Sequence, residues 1–239
     1  MLQFERQQSI LQYLRQHHTA KVGQLAKAIY TSEASVRRDL AAMEAQGLVV
    51  RVFGGVILAE HKNDVVPPAL RESANSAAKD AIARLAAELI HDGDTVIFDS
   101  SSTVRRICQH IQKRKNLKVI TNNLRICDEL KETDIDVYVT GGEFFKKRGC
   151  FLGPYAERFI AGVNADSVFF SCKGLSDDGY LTDVSEDEIS MRTAMLRQAK
   201  NSYFLCDSSK LGTGCTFTLC HAKDVTDILC DAPLPDFTE

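Results

Sequence analysis

The sequence has no apolar run approaching the ~18 uncharged residues of a membrane-crossing helix, and its first ten residues, MLQFERQQSI, put no apolar stretch behind a basic head. Neither a membrane partner nor a secretory leader is expected, and the cytoplasm is the expected compartment. There is no Cys-x-x-Cys pair either. Eight cysteines are present, but several sit inside apolar runs such as VFFSC and YFLC, where a reduced thiol packs as a small hydrophobe. Cys215, Cys220, His221 and Cys230 come close together without a usual zinc spacing, so no metal and no cofactor are expected.

A strong excess of one charge is also missing, since the net charge over 239 residues is only −3. That balance hides an asymmetry. Residues 1–59 carry seven Lys/Arg against four Asp/Glu, whereas residues 60–239 carry 22 against 28. With 44% hydrophobic residues the chain can bury a sizeable core, and its length suits two units.

The basic front unit, 1–59, shows three apolar stripes at helical spacing: Ile10, Leu11 and Leu14; Val22, Leu25, Ala26 and Ile29; then Val36, Leu40 and Met43. Thr31 and Ser32 are suited to cap the third helix, and Gly47 to end it. The segment LVVRVFGGVIL that follows reads as two short strands turning at Gly54 and Gly55. Three helices with a hairpin wing are expected.

At about 100° per residue, with Val36, Leu40 and Met43 inward, the third helix turns Ala34, Ser35, Arg38, Ala41 and Ala42 outward, with Arg37 at the flank. A face of small residues plus guanidinium can enter the ~12 Å major groove, where arginine pairs with guanine or grips phosphate. The competing reading is a solvated surface on which Arg37 and Arg38 pair with Asp39 or Glu44. Arg51, just before the Gly-Gly turn, adds a cation where a wing follows the backbone.

Residues 60–76 are polar, contain Pro67-Pro68 and read as a linker. Residues 77–239 then alternate helices with short buried strands, TVIFD, LKVITN, DVYVTGG, DSVFFSCKG and SYFLCD, as an α/β unit with a largely parallel sheet does. Helices are expected over Ala77 to His91, through Ile107 and Ile111, over Leu124 to Leu130, over Tyr155 to Ile160, and over Glu186 to Lys200. In such sheets ligands collect beyond the carboxyl ends of the strands. Those ends hold Asp99, Ser100, Ser101, Ser102 and Thr103; Thr121 and Asn122; Gly141 and Gly142; Lys173 and Gly174; and Asp207 to Lys210. Hydroxyls and backbone N–H groups cradle a phosphate, lysine neutralises it, and Asp or Asn holds sugar hydroxyls. Each cluster alone is equally an ordinary N-cap or turn.

The stretch Ser32 to Val56 resembles the DNA-binding signature of DeoR-type transcriptional regulators, through Ser32, Ser35, Val36, Arg37 to Leu40, Gly47, Arg51, Gly54 and Gly55. Met43 stands where Leu is usual and Phe53 where His is usual. The larger unit resembles the sensor domain of the same family, which is similar in fold to ribose-5-phosphate isomerase and senses phosphorylated sugars. Its matching residues include Asp99, Ser100, Ser102, Thr103, Thr121, Asn122, Gly141, Gly142, Gly153, Gly174, Glu186, Asp207, Ser209 and Lys210. Ser101 replaces a common Gly, and SCKG brings Lys173 near the pocket.

The resemblance implies a winged helix-turn-helix followed by a parallel-sheet α/β sensor: a homo-oligomeric repressor of carbohydrate metabolism genes that binds double-stranded operator DNA. It further implies a phosphorylated sugar effector, with Lys210 as the first cation for its phosphate. No catalytic residue is expected. The rival is an isomerase-like enzyme, suggested by NADSVFFSCKG with Asp166 as its acid and Lys173 following.

Overall fold

The computed structural model describes residues 3–17, 19–46, 48–52, 55–58, 72, 74–146, 148–235 and 237. The chain divides into two compact units, Met1–Ala74 and Asn75–Glu239.

The first unit runs α1 (Gln3–His17), β1 (Thr19–Ala20), α2 (Val22–Ala28), α3 (Glu33–Ala45), β2 (Val49–Val52) and β3 (Gly55–Leu58). Its core joins Ile10 and Leu14 of α1, Leu25 and Ala26 of α2, Ile29, and Val36, Leu40 and Met43 of α3 to Val49, Val56 and Leu58 of the wing. These are the helical stripes, each burying one face. Ser32 caps α3, its Oγ accepting the Ser35 amide at 3.2 Å. β2 and β3 pair antiparallel from Val49↔Leu58 to Val52↔Gly55. β1, which two residues are too short to announce in the sequence, adds to the other side of β3. Gly55 makes room for it: a Cβ there would lie 2.8 Å from the Ala20 carbonyl oxygen. Gly47, Phe53 and Gly54 lie outside the described residues, as do 59–71 and 73, which hold most of the expected linker. Asn75 and Ser76, at that linker's end, sit in the second unit.

The second unit runs α4 (Ser76–Glu88), β4 (Thr95–Phe98), α5 (Ser102–Arg105), α6 (Cys108–Ile111), β5 (Lys118–Thr121), α7 (Leu124–Leu130), β6 (Asp136–Val139), β7 (Glu143–Phe145), β8 (Cys150–Leu152), α8 (Pro154–Ala161), β9 (Ala165–Phe170), β10 (Gly174–Leu175), β11 (Tyr180–Asp183), α9 (Glu186–Leu196), β12 (Ala199–Cys206), β13 (Phe217–His221) and β14 (Asp227–Cys230). Six strands form one parallel sheet in the order β14-β12-β9-β4-β5-β6. Alternate residues face opposite layers. Val96, Phe98, Val119 and Phe169 pack against Ile82, Ala86, Ile107, Cys108 and Ile126 of the helices α4 to α7 and their joins. Ile97, Ile120 and Val168 pack the other way, against Ala156 and Ile160 of α8 and Met191 and Met195 of α9. Both faces are covered, which is why these strands read as unbroken apolar runs.

Two expected helices are corrected. The one through Ile107 and Ile111 is two separate turns, α5 and α6, and α9 stops at Leu196 rather than Lys200. From Ala199 the backbone is taken into the sheet, pairing with Ala165 of β9. The hairpin β7-β8 and the antiparallel sheet β10-β11-β13 are not among the expected strands: β7 and β13 are exposed or half-buried and show no unbroken apolar run.

Phe169 sits at the centre of the larger core, fully buried, edge-on to Phe98 at 5.7 Å and stacked on Tyr203 at 5.1 Å. Phe169→Ala should remove about 3–5 kcal/mol of stability from the second unit through lost burial and a residual cavity. Urea unfolding of the full chain, followed by circular dichroism, measures it.

Candidate functional site

Two sets of residues are placed for chemistry, one in each unit. In α3 the buried stripe is Val36, Asp39, Leu40 and Met43. Asp39 is 1% exposed and is gripped by Arg6 of α1, Nε to Oδ2 at 2.7 Å and Nη2 to Oδ1 at 3.1 Å. The hydrogen bond to Asp39 raises the Arg6 guanidinium above its ordinary value, against the opposing effect of burial. Asp39 is therefore no partner for Arg37 or Arg38, which corrects that part of the solvated-surface alternative.

Arg37 pairs instead with Glu33 at 2.6 Å. Arg51 pairs with Glu44 at 3.2 Å and donates from Nη2 to the Arg37 carbonyl at 3.1 Å, bracing the wing against α3. Ser32 and Ser35 sit with their hydroxyl oxygens 3.0 Å apart. Arg38 is exposed and has no hydrogen-bond or ion-pair partner among the described residues, and Ala34 and Ala41 are exposed beside it. Gly55 admits β1, as described above, and Gly54 lies outside the described residues.

In the second unit the chain runs outward from β4 to β5 and β6, then returns to lay β9 on the other side of β4. The carboxyl ends of β4 and β9 thus meet where the strand order reverses, the place where open α/β sheets form a crevice. Asp99, at the end of β4, is 2% exposed. Its Oδ1 accepts the Ser101 amide at 2.9 Å; its Oδ2 accepts the Ser171 amide at 3.2 Å and Arg192 Nε at 3.0 Å. Arg192 also donates to Asp183 at 2.9 Å and to Glu188 at 3.1 Å. Glu188 in turn meets Arg148 at 2.5 Å. Burial works against the charge on Arg192, but Glu188, with Cys172, Asp183 and Asp99 after it, holds the guanidinium charged well above its ordinary range. Asp99 therefore organises the loops and is not a free ligand for sugar hydroxyls.

Around this frame the loop after β4 presents donors. Ser101 Oγ accepts the Val104 amide at 3.2 Å as an N-cap, while the amides of Ser100 and Thr103 have no acceptor among the described residues. Lys79 of α4, 5% exposed, places Nζ 3.4 Å from Ser102 Oγ. Lys210 donates to Ser171 Oγ at 2.5 Å, and Ser171 Oγ donates to the Leu205 carbonyl at 2.5 Å. Burial pushes the neighbouring Asp207 carboxyl up, but Lys210 and hydrogen bonds from Ser209 and Asn75 outweigh it and hold it below its ordinary value.

After β5, Thr121 Oγ1 accepts the Asn123 amide at 3.0 Å, and Asn123 Nδ2 reaches the Ser100 carbonyl at 3.3 Å, tying the two loops together. Asn122 donates to the Phe151 carbonyl at 2.9 Å, leaving its buried Oδ1 without a donor among the described residues.

The remaining expected residues behave differently. Gly141, at φ +63°, has open space where a Cβ would lie, whereas Gly142 and Gly174 are held by packing, with a Cβ falling 2.9 Å from the Leu152 oxygen and 2.1 Å from the Thr213 oxygen. Lys173 and Glu186 are exposed. It is Glu188, not Glu186, that α9 turns inward. Asp166, the acid of the isomerase alternative, sits at the amino end of β9, accepting the Thr95 amide at 2.9 Å and pairing with Lys200 at 2.8 Å. It is at the opposite end of the strand from Lys173. Lys79, Glu188 and Arg192 were not singled out in the sequence, yet each interrupts an apolar stripe: Lys79 with Ile82, Ala83 and Ala86, and Glu188 and Arg192 with Met191 and Met195. A charge held in a buried stripe is the signal that marks them.

Residues 6–62 match the DeoR-like helix-turn-helix domain, and residues 74–232 match the DeoR C terminal sensor domain. The chain is 32% identical to the HTH-type transcriptional repressor GlcR of Bacillus subtilis strain 168 over 99% of its own length and 91% of that protein's. It is 30% identical to the transcriptional repressor AccR of Agrobacterium fabrum over 95% and 89%. Among solved structures it is similar to ribose 5-phosphate isomerase A of Methanocaldococcus jannaschii, at 14% identity and a TM-score of 0.44 over 58% of this chain and 55% of that one. With a helix-turn-helix match at its front, a sensor match over the remainder, and near full-length likeness to named repressors, this chain belongs to the DeoR family of transcriptional regulators.

Proposed function

We propose that this regulator is a cytoplasmic, homo-oligomeric repressor of carbohydrate metabolism genes, whose hold on operator DNA is set by a phosphorylated sugar. In this reading residues 1–59 bind DNA, 60–76 link, and 77–239 sense the effector. Arg38 reads bases or grips phosphate from the outer face of α3, and Arg51 follows the backbone beside the groove. Two copies on paired half-sites multiply the limited contact of one small module.

The observation that carries the effector half is the set of amide donors, cations and one unsatisfied acceptor at the switch point. The Ser100 and Thr103 amides, Lys79, Lys210 and the Asn122 Oδ1 converge on the loops after β4, β5 and β12. A buried acceptor without a donor costs about 1–3 kcal/mol, which a ligand hydroxyl on Asn122 would relieve. A dianionic phosphate needs several N–H donors and a cation, and a sugar needs acceptors for its hydroxyls. A free sugar would bring no added anion to the two lysines. A thermal-shift screen of sugar phosphates against the matching free sugars tests the reading: at least one phosphate ester should stabilise the chain while its free sugar does not.

Arg38→Ala should weaken binding to an operator duplex by about 1–3 kcal/mol with the melting temperature nearly unchanged, because its side chain is exposed and has no hydrogen-bond or ion-pair partner among the described residues. Arg51→Ala should weaken binding across sequences and flatten the salt dependence by about one unit. Both are read by fluorescence anisotropy over a salt series.

Lys210→Ala should cost the effector about 1.5–3 kcal/mol, roughly ten- to a hundredfold in affinity, and leave effector-free DNA binding intact. Isothermal titration with the stabilising sugar phosphate measures the first, and anisotropy the second.

A further inference from the structure

Tyr30 lies in the turn between α2 and α3, at φ +53° with 96% of its surface exposed. The left-handed region is free of strain for glycine and unfavourable for a large L side chain. A ring that buries almost nothing gives no hydrophobic stabilisation in compensation. The turn is closed by backbone bonds that any residue would supply, Ile29 N to the Leu25 oxygen at 2.9 Å and Thr31 N to the Ala26 oxygen at 2.9 Å. Nothing in the described fold of this unit calls for tyrosine here.

Its surroundings suit an anion. Lys27 is exposed, with no ion-pair partner among the described residues. Lys27, Tyr30 and Ser32 border one open notch beside the amino end of α3. Glu33, a carboxylate on the same notch, is engaged by Arg37 at 2.6 Å. Lys27, Tyr30 and Ser32, whose hydroxyl also caps α3, therefore border one notch next to the helix whose outer face carries Arg38. Phosphate contacts of this kind set the register of a recognition helix without reading sequence.

We propose that Tyr30 and Lys27 grip a phosphate of the DNA backbone flanking the groove entered by α3, and that the strained tyrosine is kept for that contact. The inference rests on the DNA-binding reading of α3, which Arg38→Ala tests separately.

The experiment uses the full chain and two duplexes, one selected from a random pool by the unmodified protein and one of random sequence. Tyr30→Gly should melt higher, because the turn relaxes, yet bind both duplexes about five- to tenfold more weakly. Tyr30→Phe should melt as the unmodified chain does and bind with an intermediate loss, isolating the hydroxyl. Lys27→Ala should flatten the salt dependence by about one unit, and the two Tyr30 variants should leave that slope unchanged. Tyr30→Gly binding both duplexes as tightly as the unmodified chain at every salt concentration would overturn the proposal. So would a Tyr30→Gly chain that loses self-association while each protomer keeps its DNA affinity, which assigns the ring to a second copy. If Arg38→Ala weakens binding and Tyr30→Gly does not, this inference alone falls; if no duplex emerges from the selection, both fall.

Discussion

Arg192 enters the carboxyl edge of the parallel sheet from α9 and meets Asp99, Asp183 and Glu188 at 3.0, 2.9 and 3.1 Å. Those partners belong to the end of β4, the end of β11 and α9 itself, so one guanidinium fixes three elements against each other. Its planar fork holds three directions at once, which a lysine ammonium does not do in the same geometry. Asp99, held in this way, accepts the amides of Ser101 and Ser171 and sets the positions of the loops after β4 and β9. The loop that carries the amide donors of the proposed effector site is held by that carboxylate. Removing one partner of a buried ion pair strands the other charge and generally costs several kcal/mol, so the site and the stability of its unit are linked through the same side chains.

A parallel arrangement operates in the first unit. Asp39 projects inward from α3 to Arg6 of α1 with bidentate geometry, while its neighbour Arg38 projects outward without a partner among the described residues. One residue of the Arg-Arg-Asp-Leu motif locks the helix to the core and another faces outward, where the proposed DNA contact would lie. Arg51, bonded to Glu44 and to the Arg37 carbonyl, carries wing and helix as one body. The charge asymmetry of the sequence therefore lies on a surface whose cations are partly braced and partly unengaged.

The helices of the first unit and strands β4, β5, β6, β9 and β12 were legible because burial imposes a period, or an unbroken apolar run, that the sequence displays. What escaped depends on contacts distant along the chain. Asp99 and Arg192 are 93 residues apart, and no local pattern announces that they pair. Lys79 lies in the stripe with Ile82 and Ala86, where a charge reads as an interruption until the loop it faces is known. Glu186 and Glu188 both open α9, and only the spacing of Glu188 with Met191, Arg192 and Met195 identifies the one that faces inward. Gly142 and Gly174 match ligand-loop glycines in sequence, but close packing against Leu152 and Thr213 accounts for both.

If ligand binding at the edge organised by Asp99 governs DNA binding, the two affinities must be coupled, and coupling between two binding sites is reciprocal. The direct measurement is a pair of titrations on the full chain. One gives the affinity for a selected duplex with and without a saturating sugar phosphate, and the other the affinity for that sugar phosphate with and without duplex. The same factor should appear in both, on the order of five- to 150-fold. A sugar phosphate that binds the chain and leaves its DNA affinity unchanged would contradict the role assigned to the site.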